Sequence, residues 1–229
     1  MTINKENEPV TIIRVDFHCH THFSRDSLTR PEVLATWRRR KRLDRIVVTD
    51  HNSIRGALAA RERDPLGVIV GEEIMTSQGE LLAFFVQEEV PAQLSPEQTI
   101  DRLREQGAFI SVSHPFDNLR KGHWELDDLL SILPRVDAIE GFNARCMQPG
   151  ANRLALQFAR QHGVPVTAGS DAHAAFELGA GRLLLPALSN AQELKMSVRH
   201  AKVYGRLSPW WVHMISTYAK RTKRVDGMG

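Results

Sequence analysis

Two short spacings set ligand-type side chains beside one another: His18-Cys19-His20 and Asp171-Ala172-His173. In an extended strand residues two apart share a face, so the members of each pair can reach one ion. Asp50-His51, Glu72-Glu73, His114 and Asn143 add further imidazole, carboxylate and amide groups. The set is nitrogen and oxygen without clustered thiols. Such a donor mix suits Zn²⁺, Mn²⁺ or Fe²⁺ better than a cysteine-rich structural zinc site.

The elements that must position these groups alternate along the chain. Strands are predicted at Val10 to Phe17, Ile46 to Thr49, Val68 to Val70, Leu81 to Val86, Phe109 to Val112, Val136 to Ile139 and Val164 to Ala168, with a further one at Leu183 to Leu185. Amphipathic helices are predicted at Pro31 to Arg42, Ile54 to Arg63, Ser95 to Gln106, Leu126 to Leu133, Ala151 to His162, Ala191 to Arg199 and Pro209 to Arg224. Ser95 with Pro96 opens one of these, and Gly107 and Gly163 close two. Strands alternating with helices predict an α/β fold with a parallel sheet. On this map His18 and His20, Asp50 and His51, Glu72 and Glu73, His114, Asn143, and Asp171 and His173 each follow a strand. In a parallel barrel those ends converge on one face.

The chain has 229 residues, 42% hydrophobic and 25% charged, as expected of a globular protein able to bury a full core. No repeat or Gly/Ser linker divides it, so residues 1–229 read as one domain, with 1–9 and 225–229 as frayed ends. Cys19 and Cys146 cannot make a secreted disulfide framework, which predicts a reducing, cytoplasmic setting. No apolar run is long enough for a membrane helix, and Met1 to Pro9 does not read as a signal peptide. A net charge of +3 permits an anionic substrate without demanding a polyanion.

The ordered segments Asp16-Phe-His-Cys-His-Thr-His-Phe-Ser-Arg-Asp26-Ser, Thr49-Asp-His51-Asn, Gly71-Glu-Glu73-Ile, Ser113-His-Pro115 and Gly169-Ser-Asp-Ala-His173 resemble the successive motifs of the PHP (polymerase and histidinol phosphatase) superfamily. The likeness spans about residues 14–186 and leaves 187–229 as a C-terminal helical extension. It implies a distorted (β/α)7 TIM-like barrel with two or three divalent metal ions (zinc, manganese or iron) at its C-terminal face. It further implies a phosphoric ester hydrolase acting on a phosphate monoester or short phosphodiester through a metal-bridged hydroxide. Carried over by position, His18, His20, Glu73 and Asp171 would hold one ion. His51, His173 and Asp26 would hold a second, Glu73 would bridge, and His114 would serve a third. Two departures stand out. The segment Ser24-Arg25-Asp26 is one residue longer than the usual Ser-Asp-Gly, and Glu80 falls near the place of a further histidine.

Other residues carry plainer expectations. Arg25, Asn143 and Arg145, with Arg120 or Lys121, are candidate phosphate contacts. Glu80 reads first as a solvated strand-edge carboxylate, Glu72 as facing away, and Cys19 as a core thiol. His22 reads as a local hydrogen-bonder, and His123, His162, His200 and His213 as surface residues. Asp16 and Asp50 could orient imidazoles or cap backbone. Trp210 and Trp211 are expected to pack the last helix on the barrel, with Lys220, Arg221, Lys223 and Arg224 on a solvated face. The expected partner is a small phosphorylated substrate or short oligonucleotide, with no membrane and no obligate protein partner. Two alternatives are an accessory or nucleic-acid-binding module with little activity, and an amidohydrolase-like hydrolase. The latter commonly bridges its ions through a carboxylated lysine, and no lysine lies at a mapped strand end.

Overall fold

The computed structural model describes residues 10–225, with side chains through residue 223. The expected frayed ends lie outside the described residues except for Val225, which belongs to the last helix. Among the described residues nine strands form one sheet: β1 (Ile12–Cys19), β2 (Arg45–Val48), β3 (Val68–Met75), β4 (Glu80–Phe84), β5 (Phe109–Val112), β6 (Ala138–Asn143), β7 (Val166–Gly169), β8 (Gly181–Pro186) and β9 (Lys202–Gly205). Seven helices accompany them: α1 (Pro31–Arg40), α2 (Arg55–Arg63), α3 (Pro96–Glu105), α4 (Leu126–Ile132), α5 (Ala151–His162), α6 (Ala191–Ser197) and α7 (Val212–Val225).

The strand order is β7-β6-β5-β4-β3-β2-β1-β8-β9. The first seven strands curl into a nearly closed barrel. Its seam is made where Asp171 N donates to His18 O (2.7 Å) and His20 N donates to Ala172 O (2.8 Å). Gly169 permits this approach: a Cβ there would sit 2.2 Å from the Cβ of His18. The expected TIM-like barrel is therefore present as a single unit, with two differences from an all-parallel sheet. β4 runs antiparallel to both β3 and β5. β8 and β9 lie outside the barrel, β8 antiparallel to β1 and β9 antiparallel to β8.

Phe17, Phe84 and Phe109 pack together inside, with ring centroids 5.2 and 5.6 Å apart. A second apolar layer, including Ile46, Val48, Val70, Leu34 and Leu103, joins the strands to the surrounding helices. Local chemistry sets the helix ends where the sequence suggests. Ser95 and Gln98 form a reciprocal capping box, and Gly163 ends α5 in the left-handed region at φ 67°. The expected packing of Trp210 and Trp211 is met in part: Trp211 stacks on Phe176, whereas Trp210 is 77% exposed. Val212 and Ala219 of α7 are buried, and polar groups also fix the helix across the barrel mouth. Val212 O and Ser216 Oγ accept from the Arg145 guanidinium, and Lys223 Nζ donates to Ser24 O and His22 O. Lys223 is thus buried rather than part of a solvated face.

Candidate metal centre

His18 and His20 leave the C-terminal end of β1 and meet, Nε2 to Nε2, at 3.1 Å. Glu73 Oε2, from β3, lies 3.2 and 3.3 Å from these two nitrogens. Asp171 Oδ1, from the loop after β7, lies 3.7 and 3.2 Å from them. A tetrahedral ion with bonds of roughly 2.0–2.2 Å spaces its ligand atoms about 3.3–3.6 Å apart, close to this arrangement. Asp171 Oδ1 is buried and makes no hydrogen bond among the described residues. An orphaned carboxylate oxygen is costly unless a cation meets it, so the donor set fits an ion at this point.

The surrounding groups fix which nitrogen is available. His18 Nδ1 faces Glu140 Oε1 at 2.9 Å; a carboxylate only accepts, so Nδ1 carries the proton and Nε2 is the ligating atom. Ser24 Oγ donates to Asp50 Oδ1 (2.7 Å) and accepts from His20 Nδ1 (3.0 Å), which leaves His20 Nε2 free in the same way. Asp50 thus orients His20 through Ser24. Asp16 has the other expected role, holding backbone: it accepts from Ser170 N and Gly179 N, both at 2.8 Å.

A second group adjoins the first. His51 Nδ1 is 3.1 Å from Glu73 Oε2, so that oxygen faces both clusters. His173 donates through Nδ1 to Asp171 O at 2.8 Å and points Nε2 at Asp26 Oδ1, 3.1 Å away. Asp26 Oδ1 is itself buried without a hydrogen bond among the described residues. His20, His51 and His173 can all offer atoms to one ion. On the other side His114 Nε2 lies 3.2 Å from Glu73 Oε1 and 3.3 Å from Glu80 Oε2. His114 and Asp171 hold backbone φ values of 22° and 52°, a region costly for a residue with a Cβ and often found at functional sites.

Burial and charge set the protonation of this site in the absence of metal. For His18, burial alone would lower the pKa; Glu73, Glu140 and Asp171 outweigh it and hold it well above 6.5. The same balance, with Glu73 and Asp26 as the main anions, lifts His51 to about 10. His20 falls to about 3, through burial and the neighbouring His173 and His51. Burial opposes ionisation of Glu73 and Asp171 as well, yet His18 with His51, and Arg120 with His18, hold these carboxyls well below their usual range.

All eight residues expected as ligands therefore gather at the mouth. The expected substrate contacts fare differently. Arg25 is exposed beside Asp26. Asn143 Nδ2 donates to Glu140 Oε2 (3.0 Å) and Asp171 Oδ2 (3.2 Å), so it positions a carboxylate. Arg145 is 2% exposed and bound to α7, with Nε 3.7 Å from Glu177, so it is not presented to a substrate. Arg120 reaches inward, its Nη2 2.6 Å from Asp171 Oδ2, while Lys121 is exposed.

Glu80 corrects the expectation of a solvated edge. It is 6% exposed because the β3–β4 hairpin reverses the chain, returning the start of β4 to the mouth. Sequence spacing points to neither Glu140 nor Lys220. The signal for Glu140 is only a charged residue inside an apolar strand. Lys220 Nζ lies 3.2 Å from Asp26 Oδ2, an approach across nearly the whole chain that no spacing reveals.

Comparison with known proteins yields relatives in sequence and in fold. The PHP-associated family profile matches residues 149–203. Two uncharacterized proteins of Methanocaldococcus jannaschii are similar. One is 32% identical over 157 residues (63% of this chain, 90% of the relative), and the other 35% over 170 residues (73% and 68%). Among solved structures, a two-domain Bacteroides vulgatus protein containing a predicted PHP-like metal-dependent phosphoesterase superposes with a TM-score of 0.70. It is 22% identical, covering 90% of this chain and 69% of that one. The lesion-specific endonuclease EndoQ of Pyrococcus furiosus gives 0.58 at 14% identity, over 84% of this chain and 58% of its own. With the ordered motifs, the barrel and these relatives taken together, the chain belongs to the PHP superfamily.

Proposed function

We propose that this protein is a metal-dependent phosphoesterase that hydrolyses a phosphate monoester or short phosphodiester. The observation that carries the reading is the convergence of His18 Nε2, His20 Nε2, Glu73 Oε2 and the orphaned Asp171 Oδ1 on one point. His18, His20, Glu73 and Asp171 would hold one divalent ion. His51, His173 and Asp26 would hold a second, with Glu73 shared. His114 and Glu80 complete a third cradle around the other Glu73 oxygen. When bound, such ions supply Lewis acidity toward a phosphoryl oxygen and acidify water at neutral pH. Imidazole and carboxylate donors suit zinc, manganese or iron.

The protein's own groups prepare that site. Glu140 and the Ser24–Asp50 pair fix the ring tautomers, and Arg120 and Asn143 hold Asp171. Lys220, 55% exposed at the rim, and the exposed Arg25 place positive charge where phosphoryl oxygens would enter. The amidohydrolase alternative is disfavoured because Glu73 occupies the bridging position and Lys220 approaches from the rim. The defining experiment loads the protein with Mn²⁺, Zn²⁺ or Fe²⁺ and offers nucleotides, sugar phosphates and short oligonucleotides. Turnover that disappears with bound metal in His18→Ala supports the proposal. An inert panel, or full metal content in that variant, overturns it.

A further inference from the structure

A groove of about 850 Å³ runs along the flank of the barrel, between the end of α1 and the segments around β8 and β9. This volume is within the range of small-ligand pockets, roughly 300–1,000 Å³. Cationic side chains line it: Arg14 of β1, Lys41 and Arg42 just after α1, Arg182 of β8, and Arg206 after β9. The acidic lining residue, Glu177, is turned inward; its Oε1 accepts from the N–H groups of His173 and Ala174. The cations are held by backbone carbonyls, Arg14 by Arg42 O, Lys41 by Phe176 O and Arg182 by Gly179 O. Carbonyls orient these groups without cancelling their charge.

Aromatic rings accompany the charge. Phe176 and Trp211 stack at 5.7 Å with 27° between their planes, and the Arg182 guanidinium lies 6.0 Å from the centroid of Tyr204. Phe176, Trp211 and Tyr204 are 37%, 43% and 44% exposed, although rings of this size normally gain much by burial. An acidic peptide would engage the cations and leave these rings unused. A chain of phosphodiesters bearing flat bases would engage both.

We infer that this groove binds single-stranded nucleic acid, phosphates on the arginines and Lys41, bases on Trp211, Phe176 and Tyr204. Part of its wall, Phe176 and Glu177, belongs to the turn that follows His173, so the groove adjoins the segment that carries this proposed ligand. The inference deepens the phosphoesterase reading, and rests on it for what becomes of the strand but not for its binding.

The test uses the full chain loaded with Mn²⁺ and a short fluorescein-labelled single strand with phosphorothioate linkages, read by anisotropy. Arg182→Glu with Arg206→Glu should weaken binding at least about tenfold, and should reduce the slope of log K against log salt by roughly 0.7 for each phosphate no longer neutralised. Trp211→Ala should weaken binding at least about fivefold, with recovery in Trp211→Phe. Binding equal to that of the unaltered protein in these surface variants overturns the inference. So does competition by polyglutamate as effective as by unlabelled strand, which would identify an acidic peptide instead. Hydrolysis of p-nitrophenyl phosphate and of bis(p-nitrophenyl) phosphate by the unaltered protein is scored separately; the absence of both sinks the catalytic reading while the binding result stands.

Discussion

Loading the centre with metal should expel two protons. Without metal, His18 stands well above 6.5 and His51 at about 10, so both are imidazolium near neutral pH, whereas His20 at about 3 is already neutral. The His18 Nε2 proton therefore lies among His20 Nε2 and Glu73 Oε2, where an ion would sit. An ion on His18 displaces one proton and an ion on His51 displaces the other. Each displaced proton makes binding about 1.4 kcal/mol more favourable per pH unit. The joint affinity for both ions should thus rise about a hundredfold per pH unit across roughly pH 6–8. Calorimetric titration in buffers of different ionisation enthalpy counts the protons directly. The slope of observed heat against that enthalpy should be close to two, and close to one in His51→Ala. A slope near zero in the unaltered protein would refute the reasoning, because it would mean that both rings were neutral before metal arrived. The sign reverses for the metal-free fold: the raised rings stabilise it fully below their unfolded value of about 6.5, and that support fades as pH climbs through their folded values.

Glu140→Gln should lower metal affinity about 10–100-fold, since an amide cannot accept from His18 Nδ1 while also accepting from His114 N and Asn143; competition with a chelator measures it. Asp171→Asn removes one of the two carboxylates that pair with Arg120, the other being Asp117, and should cost about 1–3 kcal/mol in metal-free protein, read by denaturant unfolding. Chelation of ions present at a hundred times their Kd should lower Tm by roughly 5–10 °C for each site emptied; an unchanged Tm would show that the folded state gains nothing from metal.

The alternation of strands with helices and the ligands at strand ends are legible in the sequence because each is local, whereas the number of barrel strands follows only from the family resemblance. Apolar runs of four residues such as Leu81–Phe84, and pairs two residues apart such as His18 and His20, announce themselves within a short window. What stays hidden depends on direction and distance. Strand content does not reveal strand sense, so neither the reversal at β4 nor the inward Glu80 that follows from it can be read from composition. β9, only four residues long and largely exposed, lacks an apolar signature. Arg145 has the right chemistry for phosphate, yet α7, some 70 residues later, claims it. Hydrophobicity alone points both Trp210 and Trp211 toward packing, yet Trp211 stacks on Phe176 while Trp210 stays exposed.

The barrel seam gives the metal a mechanical part to play. His18 and His20 lie on one side of it and Asp171 on the other, and the two backbone bonds that close the seam are made by these same residues. An ion shared between them is a clasp across the join of the cylinder. Ion release and seam opening then become one event, so the lifetime of the bound metal sets how often the cylinder unzips. Amide hydrogen exchange at His20 and Asp171 should slow together on loading, while the paired amides between β8 and β9, which carry no ligand, keep their rates.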